Sequence, residues 1–111
     1  MDLERAAAIG EKLVAEIKAD GGEASFFATN VLDKSVLEKN NEQILSKYGK
    51  IDVLLNAAGG NMASATVPPD KTIFDLDVEA VKKVTELNLF GTIIPTMVFA
   101  KSMVESGKGS I

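Results

Sequence analysis

The stretch Ile51-Asp52-Val53-Leu54-Leu55-Asn56-Ala57-Ala58-Gly59-Gly60 decides the reading of this chain. From Ile51 to Leu55 every residue but Asp52 is apolar, and an amide and small residues follow at once. A continuous apolar run that stops abruptly is the pattern of a parallel strand buried on both faces. Small residues at the stop let a ligand lie against the backbone, since no side chain holds it away. In open α/β sheets, ligands collect just beyond the carboxyl ends of strands. This strand end is therefore the candidate cofactor site.

Around it, helical and strand patterns alternate, which predicts an α/β chain with a parallel sheet. Leu3, Ala6, Ala7, Gly10, Leu13, Val14 and Ile17 recur at helical spacing, and Gly21-Gly22 ends that helix. Gly10 in mid-helix costs about 1 kcal/mol of propensity relative to Ala, so close packing against a neighbour is expected there. Ala24–Thr29, with Phe26 and Phe27 at its centre, reads as a strand. Asp33 is the expected N-cap of a second helix with an inner face of Val36, Leu37, Ile44, Leu45 and Tyr48, stopped by Gly49. Residues Ala57 to Leu76 read as a long loop containing Pro68-Pro69-Asp70, of the kind that belongs to binding sites or lids. Asp77 then caps one long helix from Val78 to Glu105, on the order of 40 Å at about 1.5 Å per residue, which Pro95 should kink. From Leu87 to Val104 this helix is apolar almost all round, the pattern of a helix buried on every side. Only Asn88, Thr92 and Thr96, four residues apart, form a polar stripe. A third strand begins at Gly109-Ser110-Ile111.

Composition bounds the chemistry. At 111 residues the chain holds one small core at most. Hydrophobic content of 46% with 25% charged residues belongs to a folded globular chain. The net charge of −4, without a basic cluster, gives no footprint for nucleic acid. The absence of Cys and His removes disulfides, thiolate and imidazole metal ligands, and the commonest general base. Asp75, Asp77 and Glu79 are close in sequence, but at a helix start they read as capping and dipole partners, so no metal is expected. Met1 leads into Asp2, Glu4 and an alanine-rich helix, and no apolar run reaches the length of a membrane span. The expectation is a cytoplasmic protein with no membrane partner.

Two motifs carry a family resemblance. Ile-Asp-x-Leu-x-Asn-x-Ala-Gly at Ile51–Gly59 resembles the fourth-strand motif of the short-chain dehydrogenase/reductase family, usually Asn-Asn-Ala-Gly and here Asn56-Ala57-Ala58-Gly59. Asn88-Leu89-Phe90-Gly91-Thr92 resembles the family's Asn-x-x-Gly-Thr segment on its long central helix. Their order and spacing, with the strand start at Gly109, fit the family over nearly the whole chain. The resemblance implies a partial Rossmann-type doubly wound parallel sheet, comprising the third, fourth and start of the fifth strand with flanking helices. Residues 1–111 would be a single partial NAD(P)-binding domain, truncated at both ends. The family's glycine-rich pyrophosphate loop and first two strands would precede Met1, and its Ser and Tyr-x-x-x-Lys would follow Ile111. The chain alone is expected to be inactive, marginally stable and self-associating.

The same resemblance assigns roles. Asn56 would tie neighbouring strands together, while Ala58 and Gly59 lie against the cofactor ribose. Ala57 replaces the family's second Asn, and Gly60 with Asn61 would border the nicotinamide or substrate. Asn30-Val31 matches the family's Asp-Val, which meets the adenine, and an amide oxygen can accept the same hydrogen bond. Asn88 matches the catalytic Asn that helps a water connect the active-site Lys to solvent. The cofactor would be NAD or NADP, the reaction hydride exchange with a carbonyl or secondary alcohol, and the full protein a homo-oligomer through the helix 78–105. Within the family, Asn56–Asn61, the Pro-containing loop and Gly91–Thr96 look most like the sugar-acid branch of fructuronate reductases, also called mannonate oxidoreductases. Two other classes fit parts of the pattern. One is a non-catalytic module pairing through its apolar helix. The other is a phosphorylation receiver, which would want an Asp where Asn56 stands.

Overall fold

The computed structural model describes residues 3–111, and the chain falls into two units, Met1–Asn30 and Val31–Ile111. Met1, Asp2 and the Leu3 side chain, which the sequence reading used, lie outside the described residues. The first unit holds α1 (Leu3–Ala19) and the segment that follows it. Ala6, Ala7, Gly10, Val14 and Ile17 form its half-buried face, whereas Leu13 of the expected stripe is 54% exposed. Gly10 earns its place because the Phe26 ring occupies the position a Cβ would take. The helix ends as expected: Gly21 adopts φ 87, and the Gly22 N–H donates to the Ile17 carbonyl at 2.9 Å.

The second unit carries α2 (Lys34–Tyr48), two 3₁₀ turns at Ala63–Ala65 and Ile73–Asp75, α3 (Val78–Thr85), a π turn at Glu86–Phe90, and α4 (Gly91–Ser106). Caps fix their ends. The Asp33 carboxylate accepts from the Val36 N–H at 3.2 Å and the Ser35 hydroxyl at 2.7 Å. Gly49, at φ 81, closes α2 by donating to the Leu45 carbonyl. Asp77 accepts from the Glu79 N–H at 2.9 Å, and Gly107, at φ 73, closes α4. Packing of α2 on α4 makes the centre of this unit. Its buried apolar side chains among the described residues are Leu37, Ala80, Pro95, Val98 and Met103, with Val36, Ile44 and Leu45 half-buried around them. Tyr48 sits at the rim, 37% exposed, with the Lys47 ammonium 5.2 Å from its ring centroid.

Several expectations are corrected. No continuous strand forms among the described residues, so the α/β sheet with third, fourth and fifth strands is reduced here to a single bridge. Val53 pairs with Ser110 in parallel: Leu54 N–H donates to the Ser110 carbonyl at 2.9 Å, and Ser110 N–H to the Asp52 carbonyl at 3.0 Å. The direction agrees with the expected sheet, but a strand exists only through its ladder, and a single bridge pairs only a few peptide groups. Val53 and Leu55 are accordingly 67% and 83% exposed rather than buried on two faces. Ala24–Thr29 forms no strand for the same reason.

The connection 57–76 is not structureless. Its two 3₁₀ turns are tied by Asn61 to Thr66 at 3.0 Å, by Thr72 N–H to Asp75 at 2.8 Å, and by Asp77 N–H to the Ser64 carbonyl at 3.3 Å. The long helix runs continuously over Val78–Ser106, with a π turn at Glu86–Phe90 and Pro95 buried within α4. By length and composition alone it is long and apolar enough to cross a membrane, contrary to the sequence expectation, and 22% of its most apolar stretch is buried. It is not covered on every side: Met97 and Val104 are 60% and 80% exposed.

Two outcomes follow from these local contacts. Gly10→Ala should lower the melting temperature although Ala favours helix by about 1 kcal/mol, because the Phe26 ring must move aside, and Phe26→Leu should relieve the loss. The Asp33 carboxyl is held below its ordinary value of 3.8 by the Ser35 hydroxyl and then the Val36 N–H. A depressed carboxyl stabilises the fold above its unfolded pKa and loses that contribution as pH falls through the folded one. Melting curves of the native chain and Asp33→Asn should therefore differ by a constant amount above pH 3.8 and converge or cross below it.

Candidate functional site

A helix with 3.6 residues per turn places Asn88, Thr92 and Thr96 on one face, and that face meets the end of the Ile51–Leu55 segment. Asn88 sits inside the π turn Glu86–Phe90, where Gly91 N–H reaches back five residues to the Glu86 carbonyl. Turns of this kind insert one residue and re-aim the side chains around them, and they recur at functional sites. Gly91 is buried at the end of the turn, where an added Cβ would meet Val31 Cγ2 at 3.1 Å and Leu87 Cδ1 at 3.6 Å. The absence of a side chain at Gly91 thus lets Val31 pack against the helix.

The Asn88 side chain grips one peptide unit at both ends. Its Oδ1 accepts from the Gly60 N–H at 2.9 Å, and its Nδ2 donates to the Gly60 carbonyl at 2.9 Å. An amide side chain here does what an adjacent strand does at a hydrogen-bonded pair, supplying one donor and one acceptor to the same residue. Contact is close enough that a Cβ on Gly59 would lie 2.9 Å from Asn88 Oδ1. Two turns further along, Asn56 Nδ2 donates to Thr96 Oγ1 at 3.0 Å, and Thr96 Oγ1 donates to the Thr92 carbonyl at 2.8 Å. Thr92 Oγ1 in turn donates to the Asn88 carbonyl at 3.3 Å.

Asn56, Gly59, Gly60 and Asn88 are thus brought together as one polar seam. Ala57 and Ala58 lie between the two attachment points, exposed, with Gly59 and Gly60 exposed beside them. Val31 reaches the same helix at Gly91, three residues beyond Asn88. Asn30 closes the first unit and is described with it. The Asn56 amide is used by Thr96 of the helix, where the resemblance assigned it to a neighbouring strand. Asn61 turns away into its own loop, donating to Thr66 and accepting from the Met62 N–H at 2.8 Å. Asp75 accepts from Thr72, Asp77 caps α3, and Glu79 accepts from Lys82 at 2.8 Å, so each carboxylate is engaged locally. No group of three or more His, Cys, Asp or Glu positioned to hold a metal occurs among the described residues. Thr92 and Thr96 were visible in the sequence as a stripe, but their partner was not.

With this geometry in place, comparison with known proteins is informative. The model of the short chain dehydrogenase family matches residues 1–111. An uncharacterised oxidoreductase, UxuB, of Bacillus subtilis strain 168 is 33% identical over 98% of this chain, which spans 42% of that protein. A crystal structure from Haemophilus influenzae, provisionally described as a D-mannonate oxidoreductase and solved with bound NAD, is 37% identical. It superposes with a TM-score of 0.78 over 83% of this chain and 36% of its own. ElxO with NADP bound, at 24% identity, shares the fold with a TM-score of 0.67 over 77% of this chain and 32% of its own. The chain therefore matches Rossmann-type dinucleotide-binding structures over part of its length, and spans about two fifths or less of these relatives.

Asn88→Ala removes two exposed hydrogen bonds, together worth about 1–3 kcal/mol. Amide hydrogen exchange at Gly60 should accelerate. Asn88→Asp should do no better at neutral pH, because its second carboxylate oxygen faces the Gly60 carbonyl in place of a donor.

Proposed function

This chain belongs to the short-chain dehydrogenase family, and from that premise we propose that it forms part of the dinucleotide-binding domain of an NAD(P)-dependent oxidoreductase. When bound, the nicotinamide exchanges a hydride with the carbon of a carbonyl or secondary alcohol. The observation that carries the reading is the two-ended grip of Asn88 on Gly60, which joins the two family motifs in space. Ala57, Ala58, Gly59 and Gly60 present backbone with little side chain, the surface a ribose or nicotinamide amide needs for close approach. Asn56 holds the start of that surface through Thr96. Val31, packed on Gly91, is the adenine end of the site in this proposal.

Asn88 acts in two ways in this proposal. Its side chain is committed to Gly60, so its part in moving a proton falls to its main-chain carbonyl. That oxygen accepts the Thr92 hydroxyl at the long distance of 3.3 Å, a contact that a water can replace. The general acid or base that such a water would serve lies outside these residues.

The substrate we propose is a sugar acid of the fructuronate and mannonate type. Support comes from the identity to the Haemophilus and Bacillus relatives, spread over most of this chain. The active protein is proposed to be a homo-oligomer using the α3–π–α4 helix, on which Phe90, Met97 and Val104 are 48%, 60% and 80% exposed. These side chains are apolar surface that a second subunit would remove from water.

The test uses the complete protein, following loss of reduced nicotinamide with fructuronate and its formation with mannonate, for each dinucleotide. Turnover of this pair with one dinucleotide preferred is the expected result. Turnover of other carbonyl compounds alone would retain the reaction and discard the sugar-acid branch. Failure to bind either dinucleotide would overturn the proposal.

A further inference from the structure

We infer that Thr96 is a positioning residue for the segment Ala57–Gly60, acting with Asn88 as one of two fastenings that hold it taut along the helix. The inference rests on the proposed dinucleotide role of that segment and adds to it a residue that the motifs do not contain.

The geometry follows from counting. Asn56 is fastened at Thr96 and Gly60 at Asn88, so the segment runs opposite in direction to the helix. Eight helical residues separate Asn88 from Thr96, a rise of about 12 Å at 1.5 Å per residue. Four residue steps separate Asn56 from Gly60, and they reach about 14 Å at most when fully extended. The two spans nearly match. Fastened at both ends over four residue steps, the segment loses much of its conformational freedom although Ala57, Ala58 and Gly59 have almost no side chain to pack. Restricting a backbone before binding lowers the ordering cost that a ligand laid across it must meet.

The two fastenings differ in kind. The Gly60 grip consists of two exposed hydrogen bonds, whereas Asn56 to Thr96 is part-buried. Threonine on a helix commonly returns its hydroxyl to the carbonyl four residues back, as Thr85 does to Val81 at 2.8 Å. Thr96 does this to Thr92 and in addition accepts the Asn56 amide. With its one proton committed to the Thr92 carbonyl, the Thr96 oxygen has its lone pairs aimed outward and available to Asn56. The hydroxyl is thus oriented by the helix and read by the Asn56 amide. Valine has nearly the same shape and lacks both bonds; serine keeps both.

The experiment compares Thr96→Val, Thr96→Ser, Asn56→Ala and Thr85→Val in the complete protein. Two readouts are taken: calorimetric affinity for NADH and NADPH, and hydrogen exchange across residues 57–61. Thr96→Val is expected to weaken the preferred dinucleotide about tenfold and to speed exchange in the segment by a similar factor, as loss of one part-buried hydrogen bond implies. Thr96→Ser and Thr85→Val should stay within about twofold of the native protein. Asn56→Ala should copy Thr96→Val, and the double variant should add nothing, since both remove the same bond. Asn56→Ala carries the test should Thr96→Val fail to fold. Unchanged exchange in Thr96→Val or Asn56→Ala, or an equal effect in Thr85→Val, overturns the inference. If the native protein binds neither dinucleotide, the proposed function falls, and exchange across 57–61 still decides whether Thr96 is a fastening.

Discussion

The two hydrogen bonds between the Asn88 side chain and the Gly60 peptide are the constraint on which the candidate site depends. A backbone segment outside helix and sheet must satisfy its donors and acceptors somewhere. Here a single amide side chain meets both groups of one residue. The π turn matters for this reason: Asn88 lies within the one stretch where the helix departs from regular spacing. Gly59 and Gly91 bracket the arrangement from either side, one close under the amide oxygen and the other under Val31. Substituents at either position would push apart the surfaces that the seam joins.

Outside the seam the chain is held by little. Five apolar side chains, Pro95 among them, are buried in the described residues, and a domain of this length has a large surface for its volume. The apolar residues that would fill a larger core are present but lie on the surface. Val53 and Leu55 flank the single bridge, and Phe90, Met97 and Val104 line the long helix. Such an excess of exposed apolar side chains is the physical counterpart of a chain that spans about two fifths of its relatives.

The helices were legible in the sequence because their ends are written in local chemistry. Asp33, Asp77, Gly49 and Gly107 cap them through contacts within a few residues, which spacing alone can anticipate. Gly10 announced a close neighbour, and Phe26 is that neighbour. The strands were misjudged for the opposite reason. Apolar character at Ile51–Leu55 shows what a segment would do with partners on both sides, and pairing is not a property of the segment itself. Averaged over its most apolar stretch the long helix is apolar enough to cross a membrane, although Asn88, Thr92 and Thr96 interrupt the run that a residue-by-residue reading looks for.

By itself the sequence determined the helix boundaries, the small-residue stop at Asn56–Gly60 and the polar stripe at Asn88, Thr92 and Thr96, and with them the family to which the chain belongs. All of these rest on spacing and local capping, which act over one or two turns of chain. Tertiary structure alone decided that the stripe and the stop are partners. Asn56 meets Thr96 forty residues away, and Gly60 meets Asn88 twenty-eight residues away. No local rule couples positions so distant, since each hydrogen bond exists only when packing has already brought the helix alongside the Asn56–Gly60 segment.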